Sequence, residues 1–209
     1  MSKIALARNL VETLPSGLTG LFNPWRDHCP HDTSTNGPAE KLMRLSRHLD
    51  CDPKFILAGE APGYQGCRYS GIAFTSERLL GEGAIPRIPL TGRLSDRRLP
   101  FSEPSATIVW KTLYQLEIAD RTILWNAMQL HPYRPNELWS NRTPTPDEIK
   151  LGEPALQLLV KAFPAARVIA VGKKSEWLLH EMGIPIAGSV RHPANGGAKE
   201  FSAGLKGLM

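Results

Sequence analysis

Pro53-Lys54-Phe55-Ile56-Leu57-Ala58-Gly59 is an apolar run of strand length that ends at glycine and leads directly into Glu60-Ala61-Pro62-Gly63. An unbroken hydrophobic run, as opposed to an alternating one, suits a strand buried on both faces, and such strands belong to parallel sheets covered by helices. Working outward, Arg121-Thr122-Ile123-Leu124-Trp125-Asn126-Ala127, Arg167-Val168-Ile169-Ala170-Val171-Gly172 and Ile186-Ala187-Gly188-Ser189-Val190-Arg191 repeat the pattern. Between these runs, residues 104–116 carry apolar positions at helical spacing. Thr145-Pro146-Asp147-Glu148 supplies a capping residue, a proline for the first helical position and an acid three residues on, predicting a helix that runs to about Phe163. A further amphipathic stretch over residues 174–182 stops at Gly183. Residues 79–103, rich in Gly, Pro and Arg (Arg87, Arg93, Arg97, Arg98), suit a long surface excursion better than a core element. Strands alternating with helices predict an α/β fold: a three-layer αβα sandwich around a central, mainly parallel four-stranded sheet, with ligands outside the strands' carboxyl ends.

At 209 residues the chain has the length of one domain over residues 1–209, with a core that needs neither disulfides nor a structural metal. No apolar run approaches the roughly 18 residues of a membrane span, and Arg8, Asn9 and Glu12 interrupt the N-terminal apolar stretch before a secretory segment forms. These features point to a cytoplasmic protein with no membrane partner. Cys29, Cys51 and Cys67 are an odd number without a CxxC pair, which speaks against a disulfide framework or a zinc ribbon. A net charge of +5 favours a polyanionic partner without requiring one. No sustained heptad suggests a coiled-coil oligomer, so a monomer is expected.

Three polar clusters fall at the expected carboxyl ends: Gly59-Glu60-Ala61-Pro62-Gly63, Asn126, and His192-Pro193-Ala194-Asn195. Their order resembles the uracil-DNA glycosylase superfamily, especially its family-4 branch. The branch's GEAPG motif stands here as Gly59 to Gly63. Its G-x-P-F resembles Gly71-Ile72-Ala73-Phe74, with alanine for proline, and its T-N-V strand with a later R-P resembles Leu124-Trp125-Asn126-Ala127 with Tyr133-Arg134-Pro135. Pro164 through Gly172 resembles the next strand, and His192-Pro193-Ala194 the terminal HPS motif. The match spans residues 53–205.

The resemblance implies a DNA repair enzyme that flips uracil out of single- or double-stranded DNA and hydrolyses its N-glycosidic bond, because that bond is inaccessible in the stacked duplex. Phe74 would then stack on the base, and the amide of Asn126 would pair with O4 and N3–H and so discriminate against cytosine. His192 would donate to O2 as charge develops on the departing base, with backbone N–H groups around Glu60 and Ala61 reinforcing it. Tyr64 would restrict the space beside C5. Ser189, Arg191, Asn195, Gly196 and Lys199 surround the histidine and would meet the DNA, Arg191 and Lys199 at phosphates.

Two departures matter. In the best-known branch an aspartate at the motif's third position activates water; here that position is Ala61, a departure that family 4 shares, leaving Glu60, Gln65 or solvent held by main-chain atoms to orient the water. Family 4 also holds an iron–sulfur cluster on four cysteines, one of them shortly after the T-N-V strand, where this chain has Met128-Gln129-Leu130-His131. Three cysteines do not supply four ligands, so neither a cluster nor another cofactor is expected. The alternatives are a DNA-binding protein of the same fold that is non-catalytic or traps its product, and a glycosylase for hypoxanthine or xanthine.

Overall fold

The computed structural model describes residues 2–209. In chain order the elements are α1 (Lys3–Glu12), β1 (Leu21–Phe22), α2 (Pro38–His48), β2 (Phe55–Gly59), α3 (Cys67–Ser70), α4 (Glu77–Gly81), α5 (Pro104–Gln115) and a 3₁₀ turn (Ala119–Arg121). There follow β3 (Thr122–Asn126), β4 (His131–Pro132), α6 (Pro146–Lys150), α7 (Glu153–Ala162), β5 (Arg167–Val171), α8 (Lys173–Glu181), β6 (Gly188–Val190) and α9 (Ala198–Gly207). The apolar runs are the strands of one four-stranded sheet, ordered β3-β2-β5-β6 and parallel throughout. β1 and β4 form a separate two-stranded antiparallel ribbon.

Because strand side chains alternate between faces, each buried run feeds two cores. Phe55, Leu57, Leu124, Ile169 and Val171 enter one, with Ala106, Val109, Trp110 and Leu113 of α5 and Phe201 and Leu205 of α9. Ile56, Ala58, Ile123, Trp125, Val168 and Ala170 enter the other, with Leu6 and Leu10 of α1 and Ala155, Leu156 and Leu159 of α7. This is the expected layered α/β sandwich. The chain leaves β2 for β3 on one side, then returns to β5 on the other, so its direction reverses between β2 and β5. A crevice forms outside the carboxyl ends at such a point.

Two local expectations are corrected. The helix begun by the Thr145–Glu148 capping box does not continue to Phe163; α6 ends at Lys150 and α7 starts at Glu153. Pro154 cannot donate a backbone hydrogen bond and its ring crowds the carbonyl four residues back. Gly152 permits the close approach there, since a Cβ on it would lie 2.6 Å from the carbonyl oxygen of Ala127. Residues 79–103 are likewise no mere surface excursion: Leu79, Leu80, Ile85, Ile88, Leu94 and Phe101 are buried in the α5 core. The organiser is the buried carboxylate of Glu77. It accepts hydrogen bonds from Arg93 Nε (2.7 Å), the amides of Leu94 (2.9 Å), Ser95 (3.2 Å) and Phe101 (3.0 Å), and Ser95 Oγ (2.6 Å).

Candidate active site

The site starts where the parallel ladder outruns its strands. The Gly59 carbonyl accepts the amide of Ala127 at 2.8 Å and that of Glu60 accepts Met128 at 3.0 Å, fixing the 60–63 loop beside Asn126. Ser175 Oγ donates to the Ala58 carbonyl at 2.6 Å and ties α8 to β2. Gly59 is required at this junction because a Cβ there would fall 2.6 Å from Phe74 Cζ and 2.8 Å from Asn126 Oδ1. Ring and amide thus converge over one glycine. Phe74 has φ of 49°, a left-handed conformation that a bulky residue adopts only at a cost, and such strain concentrates at functional sites.

His192 reaches the same place from the end of β6. Its ring centroid lies 6.0 Å from that of Phe74, and its Cβ fits over Gly172, where an added Cβ would be 3.1 Å away. The Ala194 amide donates to Nδ1 at 3.1 Å. An amide can only donate, so the neutral ring carries its proton on Nε2. Burial lowers the His192 pKa, opposed by the charge of Glu60, which favours that neutral donor. Gly197 lets the following loop turn back, because a Cβ on it would overlap the His192 carbonyl. At the tip, Asn195 (φ 53°) and Gly196 (φ 79°) are both left-handed and exposed.

These groups open on a cavity of about 670 Å³, a size ordinary for small-molecule sites. Of the residues singled out in the sequence, Glu60, Ala61, Phe74, Asn126, Ser189, Arg191, His192 and Asn195 line it. Tyr64, Gln65, Gly196 and Lys199 do not. Tyr64 is turned edge-on to Phe101 with centroids 5.8 Å apart, and its amide donates to Asn141 Oδ1 at 3.1 Å. Gln65 is half-buried away from the wall, and Lys199 is exposed on the first turn of α9. Sequence reasoning missed Glu103, Lys173, Lys174 and Glu176, which also line the cavity. The two lysines had a signal, the first turn of a helix entered directly from a strand. Lys174 Nζ lies 3.2 Å from both Glu60 Oε1 and Thr143 Oγ1.

No hydrogen bond from a described residue occupies the side-chain amide of Asn126; its backbone carbonyl accepts Gln129 Nε2 at 2.7 Å. The residues present do not fit an iron–sulfur cluster. Cys29 contacts Tyr69 Oη (3.6 Å) and Arg68 Nη2 (3.8 Å) in one core, whereas Cys67 belongs to the opposite core and Cys51 faces the His48 carbonyl. His131, standing at the branch's cysteine region, is bound to Arg68 Nη1 at 2.9 Å. Among the described residues no group of three or more His, Cys, Asp or Glu could hold a metal ion, and no helix is long and apolar enough to cross a membrane.

The parallel α/β sheet thus gathers an amide, an aromatic ring and a neutral histidine on one cavity at its switch point. The sequence profile of the uracil DNA glycosylase superfamily matches residues 47–199, and the chain belongs to that superfamily. The crystal structure of wild-type Pedobacter heparinus SMUG2 superposes with a TM-score of 0.65 at 14% identity, covering 100% of this chain and 98% of that one. This likeness is one of fold. A comparison with curated proteins gives no match.

Proposed function

We propose that this protein excises uracil from DNA by hydrolysing the N-glycosidic bond, leaving an abasic site, and that within the superfamily its kinship is with the GEAPG branch. The carrying observation is the convergence of three complementary groups on one cavity: the uncommitted Asn126 amide, the Phe74 ring and the Nε2–H of His192. An extrahelical uracil stacked on Phe74 gains about 1–3 kcal/mol. The donor and acceptor of Asn126 match N3–H and O4 of uracil, whereas cytosine offers the reverse pattern. His192 then donates to O2 as the C1′–N1 electron pair moves onto the base, an oxyanion contact of about 3–4 kcal/mol. Its neutral form suits this role, because a neutral donor stabilises the uracil anion without protonating it first.

Around the mouth, the exposed Arg191 donates from Nη2 to the Asn195 carbonyl at 3.4 Å. With exposed Ser189, Asn195, Gly196 and Lys199 it forms the rim proposed to meet the DNA, the two cations at phosphates.

The test is incubation of the protein with single- and double-stranded oligonucleotides carrying one uracil, followed by alkaline cleavage. Strand scission that collapses in Asn126→Ala and His192→Ala sustains the reading. Tight binding without scission overturns it in favour of a non-catalytic or product-trapping protein. Scission only at hypoxanthine or xanthine transfers the same pocket to another base.

A further inference from the structure

Three carboxylates reach the cavity wall, those of Glu60, Glu103 and Glu176, and their partners separate them. Glu60 Oε1 is ion-paired with Lys174 Nζ at 3.2 Å. Glu176 Oε1 accepts Ser189 Oγ at 2.8 Å. Glu103 accepts only the neutral hydroxyl of Ser105, at 2.8 Å on Oε1, and among the described residues no cation pairs with it and no donor reaches Oε2.

Its placement is built. Glu103 is the N-cap residue of α5, where a short polar side chain would ordinarily bind the helix's free amides, yet its side chain makes no capping bond. The carboxyl instead presses against the 63–66 loop. A Cβ on Gly66 would overlap Glu103 Oε2 and lie 3.3 Å from the Thr75 carbonyl, so only glycine allows this approach. Burial raises the carboxyl above the usual range, with the Ser105 bond opposing it. At the position where the superfamily's best-known branch places its water-activating acid, Ala61 contributes only a methyl group.

Resting on the glycosylase reading, we infer that Glu103 is the catalytic residue that holds the attacking water through its uncommitted Oε2 and takes its proton. As the C1′–N1 bond breaks, its electron pair leaves on uracil, stabilised at O2 by His192. The water oxygen bonds to C1′ and its proton passes to Glu103. The products are a 1′-hydroxy sugar in the DNA and a uracil anion that is protonated from solvent, which in turn takes the proton back from Glu103. Water is the one co-reactant that the balance needs. The base form of Glu103 is lost as pH falls through its raised pKa, so the acid limb of the rate should lie above the ~4.3 of a free glutamate.

The experiment is single-turnover excision from a uracil oligonucleotide across about pH 5 to 9. It compares wild type with Glu103→Gln, Glu103→Asp and Gly66→Ala, with thermal melting as the folding control. Affinity for DNA carrying non-cleavable 2′-fluoro-deoxyuridine is the binding readout. General-base loss predicts that Glu103→Gln slows excision by about 10²-fold or more and erases the acid limb, while affinity changes less than about threefold. Glu103→Asp restores part of the rate and the limb. Gly66→Ala, which keeps the acid but displaces it, also slows excision. A Glu103→Gln rate within about threefold of an active wild type, or a loss of affinity matching the loss of rate, overturns the assignment and leaves the glycosylase reading standing. A wild type that binds the analogue but excises nothing overturns both.

Discussion

Two carboxylates of one chain segment, Glu77 and Glu103, both lie among buried groups and are used in opposite ways. Glu77 accepts five hydrogen bonds, from Arg93, Ser95 and three backbone amides. Burial works against its charge, but these donors outweigh it and hold the carboxyl below the ordinary range. Glu103 has one neutral donor and its pKa is pushed up by burial. The contrast extends to whole regions. Beneath α2, Lys41 pairs with Asp32 at 2.6 Å, and Asn36 donates to Asp32 Oδ1 and to the carbonyls of Tyr69 and Leu94. There, polar capacity is spent on the fold. In the cavity, Asn126, His192 and Glu103 keep unspent donors and acceptors aimed at a common space. Saturated buried groups specify structure, and unsaturated ones at a cavity wall are available to a ligand.

The comparison breaks first if the saturated region proves functional. Asp32→Ala strands Lys41, whose side chain is fully buried, and should cost about 3–5 kcal/mol in denaturant midpoint analysis. Excision per folded molecule should stay unchanged. His192→Ala is the converse: a loss of about 10²–10³ in excision rate, equivalent to about 3–4 kcal/mol, with a change in unfolding free energy under about 0.5 kcal/mol. If either variant moved both readouts equally, the division between the regions would fail.

Acid titration sharpens the same point. Burial, then Arg68, lowers His131 to about 3; burial, then Arg87, lowers His48 to about 3. His131 accepts from Arg68 through Nδ1 and donates to the Ser140 carbonyl, while His48 Nε2 accepts the Leu124 amide on the sheet's outer strand. The unfolded chain protonates near 6.5 and the folded chain only near 3, so this stability is complete above pH 6.5 and is lost as pH falls. Each histidine should contribute a loss of roughly 2 kcal/mol between pH 6.5 and 5, read from denaturant midpoints. The smallest effect belongs to the rim. Arg191→Ala and Lys199→Ala should each weaken DNA binding almost uniformly across sequences and reduce the salt slope of log K by about one, without moving the base preference.

The legible part of the molecule is the part with short-range causes. The apolar runs became β2, β3, β5 and β6, and the Thr145 capping box formed as read. Asn126 and His192 were legible because the first ends β3 and the second stands two residues past β6, and a parallel sheet brings all such ends together. Glu103 was hidden inside a stretch whose Gly, Pro and Arg content imitates a solvated loop. That stretch is folded by Glu77, which binds residues 16 to 24 positions away. No local pattern announces such bonds.

By itself, then, the sequence determined which segments are strands, which residues stand at their carboxyl ends and to which superfamily the order of motifs belongs. Periodicity, capping and turn chemistry act over a few residues and can be read along the chain. Tertiary structure decided which polar groups remain uncommitted. It filled the hydrogen-bonding capacity of Glu77 and set Oε2 of Glu103 beside Gly66, with no donor reaching it among the described residues. Hydrogen-bond satisfaction depends on partners brought together from distant positions, so chemical availability emerges only once the chain has folded.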